Sequence, residues 1–208
     1  MTAALKHAWD VRIAQGGAPK HWDHELKRYL TKVLPGEYEV GDAEATLSTL
    51  LGSCVCACIR DPVLSVGGMN HFMLPDDSRE GSGGGNNGRY GAYAMEVLIN
   101  EIMKMGGKKH RLEAKVFGGG AVLAGMTMAI GERNAQFVLA YLAAERIPVI
   151  AQDLGGTVGR KVVYFVDSGR ALVRHVSMGA SSADLAAERD YSRTLVSQPV
   201  AGDIELFD

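Results

Sequence analysis

Cys54, in Leu51-Gly52-Ser53-Cys54-Val55, is followed seventeen residues later by His71, in Gly68-Met69-Asn70-His71-Phe72-Met73-Leu74-Pro75. A thiol and an imidazole are the smallest set that supports nucleophilic catalysis by cysteine. A free thiol of pKa ~8.5 is only about 3% ionised at neutral pH, so a reactive Cys54 needs a neighbour such as His71 to hold the thiolate. Gly52-Ser53, directly before it, supplies successive backbone N–H groups that can converge on an anion, and the glycine permits a tight turn. Such donors can form an oxyanion hole. Together these parts predict an intracellular cysteine hydrolase.

Other residues compete for a role. On an extended strand Cys54, Cys56 and Cys58 point the same way, and Cys56 and Cys58 read as small buried apolar fillers. Cys54, Cys56, Cys58 and His71 offer four soft metal ligands, but Cys-x-Cys-x-Cys lacks the two-to-four-residue loops of zinc sites, so no metal or other cofactor is expected. His21 and His24 have weaker spacing still. Asn70 alternates to the face opposite His71 and is left out of the site. Asp153 could orient a histidine, but Asp153-Leu154-Gly155-Gly156 reads as easily as a tight turn. Gly118-Gly119-Gly120 is not followed by the Lys-Ser/Thr of a phosphate loop, and reads as a turn or substrate-facing backbone.

These side chains need a scaffold, and 208 residues with 47% hydrophobic content suffice for one domain with a full core. The balance of 22 basic against 24 acidic residues, net −2, argues against nucleic acid as a partner. Three cysteines within five residues cannot staple a secreted framework. The first seventeen residues lack the apolar run of a signal peptide, and no stretch reaches transmembrane length, so a cytoplasmic location is expected.

Trp22, Leu26, Tyr29 and Val33 recur at helical spacing and predict a short helix within an N-terminal arm, residues 1–33. Residues 50–60 predict one buried strand, and residues 66–74 a second, joined by a turn at Asp61-Pro62 into a hairpin that brings Cys54 near His71. Residues 76–89, rich in Asp, Ser, Gly and Asn, predict a loop or lid. Helices are expected over 90–105, stopped by Gly106-Gly107, and over 134–145. Strands are expected over 112–117 and 148–152, with a closing hairpin of 162–166 and 171–176 around Asp167-Ser168-Gly169-Arg170. Ser181 and Asp184 suggest a capped helix over 182–195 within a C-terminal extension, residues 178–208. The pattern is that of a mixed α/β domain with a C-terminal hairpin.

The blocks Leu34-Pro35-Gly36-Glu37-Tyr38, Leu51-Gly52-Ser53-Cys54-Val55, Gly68 to Pro75, Lys115-Val116-Phe117-Gly118-Gly119 and Asp153-Leu154-Gly155-Gly156 follow one another in the order found in a known family. Over residues 34–177 the chain resembles CheD, the chemoreceptor glutamine deamidase of bacterial chemotaxis. The resemblance implies a layered α/β sandwich, a catalytic cysteine at Cys54 and a histidine at His71. It also implies a threonine six places before the cysteine. That place is Ser48, with Thr49 immediately after it, so either hydroxyl could orient the imidazole. The implied substrates are glutamines on cytoplasmic helical bundles of chemoreceptors, and an implied partner is the chemotaxis phosphatase CheC. The same site could hydrolyse glutamyl methyl esters, which are easier acyl donors than amides. A reading from another class is a non-catalytic adaptor that binds receptors or CheC, with Cys54 idle.

Overall fold

The computed structural model describes residues 20–74, 85–122 and 128–177, together with Asp190, Tyr191 and Thr194. Among the described residues ten strands form two mixed five-stranded sheets. Sheet I has the order β1 (Lys20–Asp23), β2 (Arg28–Lys32), β4 (Thr46–Leu51), β9 (Gly159–Phe165), β10 (Ala171–Val176). Sheet II has the order β3 (Tyr38–Gly41), β6 (Val66–Asn70), β5 (Val55–Asp61), β7 (Glu113–Gly118), β8 (Val149–Leu154). In each, one pair is parallel, β2 with β4 and β7 with β8, and the rest are antiparallel. Helices α1 (Gly85–Lys104) and α2 (Met128–Ala144) cover the outer face of sheet II.

Strand alternation sorts the core into layers. Val55, Ala57 and Ile59 of β5 face the helices, where Met95, Leu98, Ile102, Val138 and Leu142 meet them. Cys54, Cys56 and Cys58 face the other way, into the core between the sheets, against Leu47, Leu51, Val162 and Tyr164 of sheet I. A side chain at Gly68 would collide with Leu98 and the Glu39 carbonyl, so this glycine lets α1 lie close on β6. The result is a helix, sheet, sheet sandwich, in agreement with the layered α/β expectation. No described helix is long and apolar enough to cross a membrane.

Several elements differ from the sequence expectations. Residues 22–33 form a hairpin rather than a helix, with Trp22 paired to Tyr29 and their rings edge to face at 5.1 Å. Asp23 Oδ1 accepts the N–H groups of Glu25 and Leu26, each at 3.0 Å, and Lys27 turns at φ 50°. That turn chemistry overrides the spacing of four apolar residues. The single strand expected over 50–60 is two strands in different sheets, because the chain bends at Gly52-Ser53 and crosses between layers. Helix α1 starts at Gly85, inside the expected loop, and the rest of that loop lies outside the described residues. Helix α2 starts six residues earlier than expected, at Met128. Of the expected helix over 182–195, only Asp190, Tyr191 and Thr194 are described, and they are helical.

Candidate active site

The site forms where the inter-sheet core reaches the start of β5 and the end of β6. Val55 and Phe72 form an antiparallel bridge in register with the Cys58 and Met69 pair. Both bridge side chains face the helices. Their neighbours Cys54 and His71 are therefore turned to the inter-sheet face, as diagonal neighbours. Such positions lie roughly 7–8 Å apart, within reach of an imidazole. Both residues are buried, at 0% and 1% exposure.

His71 is held from the opposite sheet. Thr49, on β4, places Oγ1 2.8 Å from His71 Nδ1 and donates its own proton to the Val33 carbonyl at 2.8 Å. A hydroxyl has one proton, so toward the ring it accepts, and Nδ1 carries the hydrogen. The neutral ring then has its lone pair on Nε2, the nitrogen able to take a thiol proton. The hydroxyl that meets His71 is thus not that of Ser48. Thr49 shares the inner face of β4 with Leu47 and Leu51, whereas Ser48 pairs with Val163 on the outer face of sheet I. A Ser48 side chain cannot reach the imidazole through its own sheet.

Backbone contacts set the bend that carries the nucleophile. Gly119 N–H donates to the Cys54 carbonyl and Gly120 N–H to the Gly52 carbonyl, both at 2.8 Å. Gly118, at φ 112°, approaches so closely that a side chain there would sit 2.2 Å from the Cys54 oxygen. The triple glycine is a buttress for the bend. Asn134, fully buried on α2, donates from Nδ2 to the Ser53 carbonyl at 2.8 Å and accepts the Leu74 N–H on Oδ1 at 2.9 Å. Sequence reasoning passed over it, although it interrupts the apolar row Ile130, Val138, Leu142 at helical spacing.

Tyr90, on α1, and Tyr191, in the C-terminal segment, lie near Cys54. Their hydroxyls are hydrogen bonded to each other, and the Tyr191 ring lies against Gly36 and packs on the cluster that contains Cys54. Burial pushes the Tyr90 phenol up to about 12, with its bond to Tyr191 opposing and the nearby Cys54 adding to the rise. Burial raises Tyr191 as well, with Tyr90 and Cys54 contributing.

The remaining candidates lie apart from this chemistry. Burial pushes the Cys58 thiol up, and its contact with Cys56 adds to the shift, which suits an inert filler. Asn70 faces the helices, where its Oδ1 accepts the Ala57 N–H and its Nδ2 donates to the Ala94 carbonyl. Asp153 does hold a histidine, but it is the exposed His175, at 2.7 Å, together with Arg160. Among the described residues no group of three or more His, Cys, Asp or Glu side chains is placed to hold a metal ion.

The family model for CheD chemotactic sensory transduction matches residues 73–175, a stretch that begins just after His71. The chain is 48% identical over 204 residues to "Probable chemoreceptor glutamine deamidase CheD 1" of Dechloromonas aromatica (strain RCB), covering 98% of this chain and 100% of the relative. It is 52% identical over 196 residues to "Probable chemoreceptor glutamine deamidase CheD" of Cupriavidus metallidurans, covering 90% of this chain and 89% of that one. Among solved structures, the hypothetical protein YfiH of Bacillus licheniformis is similar over 72% of this chain and 69% of its own, at 14% identity. Its TM-score of 0.37 is too low to bear on the fold. At 48% and 52% identity over nearly the full length of the two named relatives, the chain belongs to the CheD family.

Proposed function

We propose that this protein hydrolyses glutamine side chains on chemoreceptors to glutamate, with Cys54 as nucleophile and His71 as acid and base. The observation that carries the assignment of roles is the hydrogen bond between sheets from His71 Nδ1 to Thr49, which leaves Nε2 directed to proton transfer on the face it shares with Cys54. His71 takes the thiol proton, and the thiolate attacks the amide carbon. Backbone N–H groups of the Gly52 to Cys54 bend stabilise the oxyanion. The imidazolium protonates the departing nitrogen, ammonia leaves, and a thioester remains. Water, deprotonated by His71, then attacks the thioester, releasing glutamate and restoring the thiol.

The substrates are cytoplasmic receptor helices, where a new glutamate becomes available for methylation, and CheC is a candidate partner in the same compartment. The names of the relatives, chemoreceptor glutamine deamidases, support the receptor as substrate. A purified receptor cytoplasmic domain incubated with wild type should convert specific glutamines, read by peptide mass spectrometry, and Cys54→Ala should convert none. Equal conversion by both would sink the Cys54 reading, and none by either would sink it and favour an adaptor.

A further inference from the structure

The ladder between β5 and β6 changes character beside Cys54. Val55 and Phe72 exchange both backbone hydrogen bonds, at 3.0 and 2.9 Å. Doubly bonded pairs recur every second residue in an antiparallel ladder, so the next such rung belongs to Ser53 and Leu74. There the Leu74 N–H should meet the Ser53 carbonyl. Instead the N–H goes to Asn134 Oδ1 and the carbonyl receives Asn134 Nδ2–H. One side-chain amide is inserted into the rung, keeping its donor and acceptor satisfied while holding the strands apart.

This insertion has a cost that packing alone does not explain. Asn134 is 0% exposed in a row whose other members, Ile130, Val138 and Leu142, are buried and apolar. A carboxamide there is tolerated only because both its ends are bonded. Ser53 C=O and Cys54 N–H belong to one planar trans peptide, so pinning the carbonyl also fixes the direction of the N–H. On the far side of the same strand, Gly119 N–H on the Cys54 carbonyl fixes the next peptide.

We propose that Asn134 is a positioning residue for acyl transfer, a wedge that sets the Ser53–Cys54 peptide plane so that the Cys54 N–H is aimed at the oxyanion. This rests on the deamidase reading. Two variants test it: Asn134→Leu removes both bonds, and Asn134→Asp keeps the acceptor for Leu74 but loses the donor to Ser53. Both should lose roughly 100-fold in kcat on the receptor domain, with KM changed by no more than about threefold. Alkylation of Cys54 by iodoacetamide forms no oxyanion, so its rate and pH profile should stay as in wild type. A folded variant with wild-type kcat overturns the proposal, as does a kcat loss matched by an equal loss in alkylation rate, which would signal thiol activation instead. If neither variant folds, Asn134 is a packing residue and the proposal falls. Wild type run beside Cys54→Ala separates these outcomes from failure of the deamidase reading itself.

Discussion

Thr49 holds the imidazole through a hydroxyl that is spent on both sides, donating to Val33 and accepting from His71. Thr49→Val keeps the shape but strips the acceptor from a buried ring N–H, which costs orientation and tautomer together. The expected loss in kcat is roughly 10- to 100-fold, with Thr49→Ser recovering most of it. Ser48→Ala, on the outer face, should stay within about twofold of wild type. Steady-state deamidation of the receptor domain with the three variants checks this, and a larger effect at Ser48 than at Thr49 would reverse the assignment. The ambiguity between these hydroxyls was intrinsic to the sequence. Counting six places back from Cys54 passes through the Gly52-Ser53 bend, and a one-residue offset moves a strand side chain to the opposite face. Cys54 and His71 were legible because glycine-flanked blocks surround them. Asn134 was not, because a polar residue in an apolar helical row does not tell which distant ladder rung it fills.

At the scale of elements, what could be read were units whose signals are local. The hairpins turning at Asp61-Pro62 and Asp167-Ser168-Gly169-Arg170, and the apolar faces of both helices, appear where turn chemistry and periodicity put them. What could not be read were units whose reason lies elsewhere in the fold. Residues 22–33 have helical spacing but complete the edge of sheet I, and β4 and β5 look like one apolar run yet belong to different layers. Tyr191 is of this second kind, a residue of the C-terminal segment that packs on the inter-sheet cluster containing Cys54 although it is far from that cysteine in the sequence. Because Cys54 is fully buried in the cluster on which Tyr191 packs, and its charge reaches both linked phenols, Tyr191→Ala should speed alkylation of Cys54 by iodoacetamide several-fold. Peptide mass spectrometry against time reads this directly. An unchanged rate would mean that reagent reaches the thiol by another route.

For the molecule as a whole, the end of the sandwich remote from the site is tied by one buried carboxylate. Asp61, at the end of β5 and 0% exposed, accepts the N–H groups of Val63 and Leu64 on Oδ1. Its Oδ2 accepts the Lys108 N–H and the Arg111 guanidinium. It thereby joins the β5–β6 turn to the connection between α1 and β7. Burial opposes the charge, but Arg111 and the three backbone donors outweigh it and hold the carboxyl at about 2, below its ordinary 3.8. A carboxyl depressed on folding contributes stability that is present above its unfolded pKa and is lost as pH falls through the folded one. Asp61→Asn should therefore lower unfolding free energy at neutral pH by roughly 2 to 4 kcal/mol, since Arg111 is left without its charged partner. The gap to wild type should hold down to about pH 4 and shrink as pH falls toward and through about 2, below which both proteins carry a neutral group at this position. Asp153 and Asp167 are depressed as well, by Arg160 with His175 and by Ser168 with Arg28, which outweigh burial. Both remain in both proteins, so their share of acid sensitivity cancels in the difference. Denaturant titrations of the pair at neutral pH and at about pH 2.5 measure that difference, and a gap that stays constant would show that the charge on Asp61 is not what ties this end together.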